Sequence, residues 1–416
     1  MGATTVRVVT EPEEFESLAG AWDGIAEECG SQRSIYLTHE WLSAWWKHFG
    51  SGNRLNILLA EKQGRLIGIV PLMVTEYKLG PVKVRFLETI GAANCNYVGL
   101  IPPGNREEAV NALLAHLGAE MERGGSFLKL SFVPDDSVFL HILRSRDSLP
   151  ANNLAFCERF KTLAPYLVLP ETRNDSGLPL NKKMQQRLRR ELLLLQEEHN
   201  FEFRIYTGES LDDDMEIFFD LHQARWQSVN LRGIFHEPGM REFYWDIARR
   251  FMERKWLHFS SLRLDGEAGS VIFGFVYGRK FYVATTARDP RWSDYSLGHL
   301  HYKFLIKEAI ENDLREFDFL QGNEIYKYYW TKSARKYIEV TAVRKGGCTR
   351  VRIWLVNKFL RLHRLKAVRK YSLKELYYIY RWQKADKRLK ERERRQKEKK
   401  EEKRQRRAQA RRRDKR

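Results

Sequence analysis

The chain has 416 residues, 43% of them hydrophobic, and a formal net charge of +19. That length suits two domains with real cores. Residues 1–357 are charge-neutral and the whole excess lies in 358–416, so the globular part is not that of a basic nucleic-acid binder.

Cys29, Cys95, Cys157 and Cys348 stand far apart, without CxxC or Cys/His spacing, which argues against a disulfide framework or a zinc motif. The first residues show neither a basic n-region nor an apolar h-region. The longest apolar stretch, 66–74, is about half of the roughly 20 residues a membrane span needs. A cytoplasmic protein is expected, with contact at the inner face of a membrane left open.

In chain order, 11–29 predicts a helix with Phe15, Leu18, Trp22 and Ile25 on one stripe. Thr38 is a suitable N-cap for a second helix over 39–49. Strand-like runs follow at 54–62, 65–77 and 83–90, then a helix over 107–121 and a strand over 127–133. A loop rich in Pro, Asn and Gly, 169–181, separates an N-terminal half (1–168) from a second half (182–347), and a basic tail (348–416) ends the chain.

The second half predicts a helix over 182–200, a strand over 201–206, and helices over 215–229 and 239–255. The acidic run Asp212–Asp214 suits the start of the helix it precedes. A three-strand meander occupies 257–289, turning at Asp265-Gly266 and at Gly278–Lys280. A helix from 297, a strand over 315–322, an aromatic helix over 324–332 and a strand over 336–345 complete it. The fold class is mixed α/β, and the shared rhythm of the halves suggests a duplicated fold.

A strand running into a helix start leaves N–H groups that favour an anion, typically a phosphate. In "SDYSLGHLHYKF" (293–304), Ser296 and Gly298 are small enough for close approach. The alternative is an N-cap serine and a glycine packed on the sheet. His299 and His301 are two apart and point opposite ways on a helix, which argues against a metal site.

The element order, this Ser-x-Gly helix start, "FDFLQGNEIYKYYW" (317–330), "LHQARW" (221–226) with "GIF" (233–235), and "THEWLSAWWKHFG" (38–50) with "LAEKQGRLIGIVPLMV" (59–74) resemble the CelD/BcsL-type acyltransferases. These are bacterial relatives of the GNAT acetyltransferases and the FemAB peptidyltransferases. The resemblance covers roughly 10–345, and Leu297 stands where the family usually has proline. It implies two GNAT-like halves in tandem, the second catalytic, with acetyl-CoA or another acyl-CoA inserted between two splayed parallel strands and no metal. Ser296, Leu297, Gly298 and His299 would hold the pyrophosphate, and Thr286 lies on the first splayed strand.

In that setting Asp318, which alternates with Phe317 and Phe319, is a general base, a holder of substrate, or a turn cap. Tyr326 is a proton donor to the leaving thiolate or a packing aromatic. His222 shares a helix face with Arg225, with Trp226 beside them, as a base in an acceptor pocket or as a backbone-bonded histidine. Asp289, Gln321 and Lys327 complete the candidates for substrate binding; Asp289 also reads as a turn residue, and Lys327 as the partner of a carboxylate or as a solvated residue.

In the tail, Phe359, Leu362 and Leu365 fall to one side, and Arg361, Arg364 and Lys366 to the other. Such a stretch suits an anionic membrane surface better than nucleic acid. After Trp382 the chain is almost wholly charged, a solvated helix or a disordered segment. The expected activity is acyl transfer to an amine or hydroxyl, on an envelope saccharide or its precursor as in polysaccharide biosynthesis. The alternatives are aminoacyl transfer from charged tRNA, as in FemAB-like enzymes, and a non-catalytic adaptor.

Overall fold

Two turns set up the second half. Asp265-Gly266 (φ 54° and 83°) and Gly278-Arg279 (φ 59° and 60°) each place two successive residues at positive φ, the geometry whose twist matches a hairpin. They join β8 (Leu257–Leu264), β9 (Glu267–Tyr277) and β10 (Lys280–Arg288) into an antiparallel meander. The second turn is a residue shorter than the sequence suggests, because Lys280 already pairs with Tyr277. The computed structural model describes residues 3–30, 33–91, 99–144, 154–171, 178, 180–206, 208 and 211–368. Residues 172–177 and 179 of the boundary loop, and the charged run after Trp382, lie outside them.

The first half repeats the meander with β2 (Arg54–Lys62), β3 (Arg65–Leu79) and β4 (Val82–Thr89). In each half a helix then carries the chain to a parallel strand. α4 (Arg106–Gly124) leads to β5 (Phe127–Pro134) beside β4, and α9 (Leu297–Glu311) leads to β11 (Glu316–Asp318) beside β10. With the outer strands β1 (Thr4–Val9) and β7 (Phe201–Ile205) and the long strands β6 (Leu154–Val168) and β12 (Ala334–Arg344), they form one mixed sheet of 12 strands. Its order is β1-β2-β3-β4-β5-β12-β6-β11-β10-β9-β8-β7, in which the halves mirror each other about β12 and β6.

The two middle strands are exchanged. β6, from the first half of the chain, pairs with β11, while β12, from the second, pairs with β5; β6 and β12 pair with each other. Neither β1 nor β6 is anticipated by the sequence. In β6, Pro165 and the charged stretch Glu158-Arg159 break the alternation, and proline ordinarily argues against a central strand. Here the Pro165 carbonyl still accepts from the Phe319 N–H at 3.1 Å.

The predicted 11–29 helix is broken at Leu18 into α1 (Pro12–Ser17) and α2 (Ala19–Glu28). Thr38 caps α3 (His39–Phe49) as expected, accepting from the Trp41 N–H. These helices share one core with α7 (Leu211–Gln227) and α8 (Met240–Glu253). Trp41 meets Phe243 edge-on at 5.0 Å, and Arg254 pairs with Asp23 and Glu40, so the halves are packed together by both apolar and charged contacts. Burying one such aromatic side chain contributes roughly 1.5–3 kcal/mol. Two separate cores serve α4 with α5 (Val138–Arg144), and α6 (Lys182–Glu198) with α9.

The last described helix, α10 (Thr349–Val368), packs through Ile353, Val356, Phe359 and Leu360 against Phe86 and Val343. This corrects the predicted tail stripe: Phe359 turns to the sheet, while Leu362 is exposed.

Candidate active site

β10 and β11 pair at three positions, Lys280↔Glu316, Phe281↔Phe317 and Tyr282↔Asp318. Beyond them the strands part. The chain after β11 stays with β6, through Phe319 N–H to the Pro165 carbonyl and Gly322 N–H to the Leu163 carbonyl at 3.0 Å. β10 continues along β9, with a register irregularity between Val283 and Thr285 that bends it away. Among the described residues no backbone hydrogen bond joins Val283–Arg288 to β11, so this edge of β10 is open.

The parting has a local cause. Leu320 adopts φ 57°, and Asp318 Oδ1 accepts from its N–H at 2.7 Å. Lys327, 4% exposed, donates to the carbonyls of Leu320 (3.2 Å) and Gln321 (3.0 Å) and pairs with Glu324 at 2.9 Å. Lys327 is therefore an internal tie paired with a carboxylate, and not a solvated side chain. Asp318 pairs with Arg335 at 3.2 Å through its other oxygen. Burial pushes its carboxyl up to about 6, against the opposing charge of Arg335. Phe317 and Phe319 pack in the core beside α9, so Asp318 does face the other side of the sheet. The aromatic helix predicted at 324–332 is a short 3-10 turn, Ile325–Tyr329.

At the start of α9, the N–H groups of His299 and Leu300 bond to the Ser296 carbonyl, whereas those of Leu297 and Gly298 have no partner among the described residues. Two guanidinium groups flank them. The Arg288 Cδ lies 3.4 Å from where a Cβ on Gly298 would stand, and its Nη1 3.8 Å. Arg187 Nη2 donates to Ser296 Oγ at 2.8 Å. Arg288 is exposed to solvent, yet crowding by surrounding protein and then the charge of Arg225 lower its pKa. The donor set of two free N–H groups and two guanidinium groups fits a phosphate.

Ser296 itself is engaged from α6: Glu191 accepts from its N–H at 3.2 Å and from its hydroxyl at 3.3 Å, and pairs with Arg187 at 2.7 Å. It is the N-cap residue of α9, but its side chain joins Arg187 and Glu191 and does not cap the helix. Arg187, Glu191 and Arg288 were not anticipated, because Arg187 and Glu191 read as an ordinary i,i+4 surface pair and Arg288 as part of a turn.

The two histidines face apart. His299 Nδ1 accepts from the Trp330 indole at 3.2 Å; burial and then Arg187 and Arg288 push it down to about 4. His301, 0% exposed, bonds Ser260 and Ser270 hydroxyls, each at 3.0 Å, and burial pushes it down to about 3. Tyr326 stacks on Tyr302, with ring centroids 5.9 Å apart, and their hydroxyls are hydrogen-bonded. Burial raises Tyr302 to about 12 and Tyr326 well above its ordinary value, so both phenols keep their protons at neutral pH.

On the opposite face, Tyr244 of α8 shares a 2.7 Å hydrogen bond with Thr285, just past the irregularity in β10. Thr286 alternates to the same side as Arg288. On α7, His222 Nε2 accepts from the Trp226 indole at 2.9 Å, which leaves the proton on Nδ1, and Nδ1 is buried without a partner. Burial pushes His222 down to about 4. With Nε2 occupied by the Trp226 indole, His222 is a packed ring whose other nitrogen has no partner among the described residues. Arg225 lies close enough to act on Arg288 electrostatically. Asp289 is turned away: it caps the 3-10 turn Pro290–Trp292 and chelates Arg291 at 2.6 and 2.8 Å.

Residues 182–328 match the acetyltransferase (GNAT) domain family. No curated protein matches. Among solved structures, the chain is similar to FemX, at 11% identity and a TM-score of 0.55, over 81% of this chain and 96% of that one. It is similar to a conserved protein of unknown function from Bacteroides thetaiotaomicron VPI-5482, at 13% identity and a TM-score of 0.50, over 82% of this chain and 100% of the other. A third likeness is to the C-terminal domain (DUF2156) of a protein assigned as a lysylphosphatidylglycerol synthetase from Agrobacterium fabrum, at 10% identity and a TM-score of 0.50, over 85% and 95% of the two chains. At such identities the likeness is one of fold: two GNAT-like halves in tandem, the second of which carries the family match.

Proposed function

We propose that this chain transfers an acyl group, acetyl being the simplest, from acyl-CoA to an amine or hydroxyl. The observation that carries the reading is the pair of free N–H groups at Leu297 and Gly298, flanked by Arg288 and Arg187, at the opening between β10 and β11. The pyrophosphate of CoA would lie on that helix start, near His299. The pantetheine would run along the open edge of β10 past Thr286, bringing the thioester towards Tyr326.

The acceptor nitrogen or oxygen attacks the thioester carbonyl, the C–S bond breaks, and the acceptor's proton passes to water. Tyr326, protonated at neutral pH, donates a proton to the departing thiolate and is re-protonated from solvent. Positioning of the two reactants does most of the remaining work, since a thioester already carries a good leaving group. Asp318 and Lys327 hold the turn that parts the strands. Arg225, Trp226 and Gln321 would line the acceptor side of the site.

The FDFLQG and LHQARW segments support a CelD/BcsL-type enzyme, with a saccharide or its envelope precursor as acceptor and a cytoplasmic site of action at or near the membrane's inner face. The halves 1–168 and 182–347 are proposed as the two duplicated units, and the second as the catalytic one. The FemAB-like resemblance carries a second reading, with aminoacyl-tRNA as donor.

Calorimetry with CoA, followed by thioester cleavage in the presence of candidate acceptors, tests the first reading. Binding of CoA with acceptor-dependent release of free thiol supports it. No binding at millimolar CoA, with transfer from charged tRNA, selects the second.

A further inference from the structure

The outer face of α10 has no partner among the described residues. Val351, Trp354, Leu355 and Leu362 are 54%, 56%, 51% and 42% exposed. At 100° per residue these four share one stripe, opposite the Ile353, Val356 and Leu360 stripe that packs on the sheet. Lys358 lies within the stripe, its Nζ 4.6 Å from the centre of the Trp354 ring. Exposed Arg350 and Arg361 border it on one side and Arg352 on the other. Large apolar side chains gathered on one exposed stripe mark an interaction site, in contrast to single surface residues.

Charge chooses the partner. From Val340 to Lys374 the sequence holds 11 Lys and Arg and no Asp or Glu. A second copy of this face would bring like charges together, which disfavours self-association. Nucleic acid would satisfy the charge but leave Val351, Leu355 and Leu362 in contact with a polar backbone. An anionic bilayer satisfies both: the apolar stripe enters the headgroup boundary, Trp354 sits at the interface, and the flanking arginines meet lipid phosphates. No described helix is long and apolar enough to cross a membrane. We infer that α10 lies flat on an anionic membrane surface, burying Val351, Trp354, Leu355 and Leu362. This deepens the proposed placement at the inner face and is independent of which acyl donor the enzyme uses.

The full-length chain is tested by flotation with vesicles of phosphatidylcholine alone and of two parts phosphatidylcholine to one part phosphatidylglycerol. Binding to the anionic vesicles alone is expected, weakening as salt screens the charges. The triple variant V351S/W354S/L355S should lose roughly tenfold or more of that affinity with an unchanged melting temperature, since all three residues are exposed. With brominated acyl chains, part of the tryptophan emission should be quenched, and W354F should remove that part. Wild-type affinity in the triple variant, or quenching unaltered by W354F, overturns the inference, whether charge alone then holds the chain to lipid or another segment covers the face. Binding to RNA at physiological salt in place of vesicles, or a dimer that the triple variant dissociates, overturns it equally.

Discussion

The side chain of Arg288 lies across Gly298, its Cδ 3.4 Å from the point where a Cβ would project. A methyl group there meets only a flexible side chain, so Gly298→Ala should leave stability and CoA binding near wild type. Gly298→Glu places a carboxylate where the phosphates are proposed to sit and gives Arg288 an internal partner. One charged hydrogen bond lost costs roughly 1.5–3 kcal/mol, a tenfold or larger fall in CoA affinity. Calorimetry on folded variants reads the difference. Equal affinity in wild type and Gly298→Glu would reject the phosphate cradle.

Glu191 opposes an anion at this helix start, since it already accepts from the Ser296 N–H and holds Arg187. Glu191→Gln keeps an acceptor oxygen for Ser296 but removes the charge and frees Arg187. The apparent affinity for CoA should rise by a few-fold, at about 1 kcal/mol for a partly screened charge. Weaker binding would instead mean that Glu191 is needed to shape the site.

Much of this was legible beforehand, for identifiable reasons. The meander was readable because Asp265-Gly266 and Gly278-Arg279 allow few conformations other than a tight turn. The orientation of Asp318 followed from strict alternation in Phe317-Asp318-Phe319. Strand exchange was not legible. It depends on which of two similar edges β6 and β12 choose, and pairing partners leave no local pattern. The charged residues at the site were missed because Arg187 and Glu191 lie 105 or more positions from Ser296 and read locally as a solvated pair. The packing of His222 was not legible because its nearest constraint is spatial: Gly233 lies against its ring.

That contact gives a stability prediction. A Cβ on Gly233 would lie 2.6 Å from His222 Cε1, 2.7 Å from its Nδ1 and 2.9 Å from Trp226 Cδ1. These rings are buried or half-buried and hydrogen-bonded to each other, so they cannot yield cheaply. Gly233→Ala should destabilise by about 1–3 kcal/mol, as overpacked sites do. Urea denaturation measures it, and a loss below about 0.5 kcal/mol would show that the 228–233 loop relaxes freely.

The same burial fixes how stability responds to acid. His222 and His299 are pushed from 6.5 down to about 4, and His301 down to about 3. Unfolding lets each take up a proton below its ordinary pKa, so stability should fall as pH drops from 6.5 towards 4. Asp318 works against this. Its folded pKa, about 6, exceeds the ordinary 3.8, so it contributes stability that is lost as pH rises between those values. These histidines, with His116 also lowered by burial, outweigh one raised carboxyl, and the net slope is acid destabilisation. His301→Gln should flatten it, and an unchanged slope would place the protons elsewhere.

The sharpest test of the chemistry is Tyr326. Its ring is stacked on Tyr302 and its phenol shares that residue's hydrogen bond, so Tyr326→Phe removes one oxygen and leaves the packing intact. If Tyr326 delivers the proton to the thiolate, kcat should fall by roughly 10²–10⁴-fold while CoA affinity stays within about twofold. Tyr302→Phe should cost far less, because its phenol orients Tyr326 without touching the reacting atoms. Because burial holds the Tyr326 phenol well above 10, the wild-type kcat should show no alkaline fall below about pH 10 from this group. A Tyr326→Phe variant with kcat within a few-fold of wild type would assign proton delivery to water and reduce Tyr326 to the wall of the pantetheine channel.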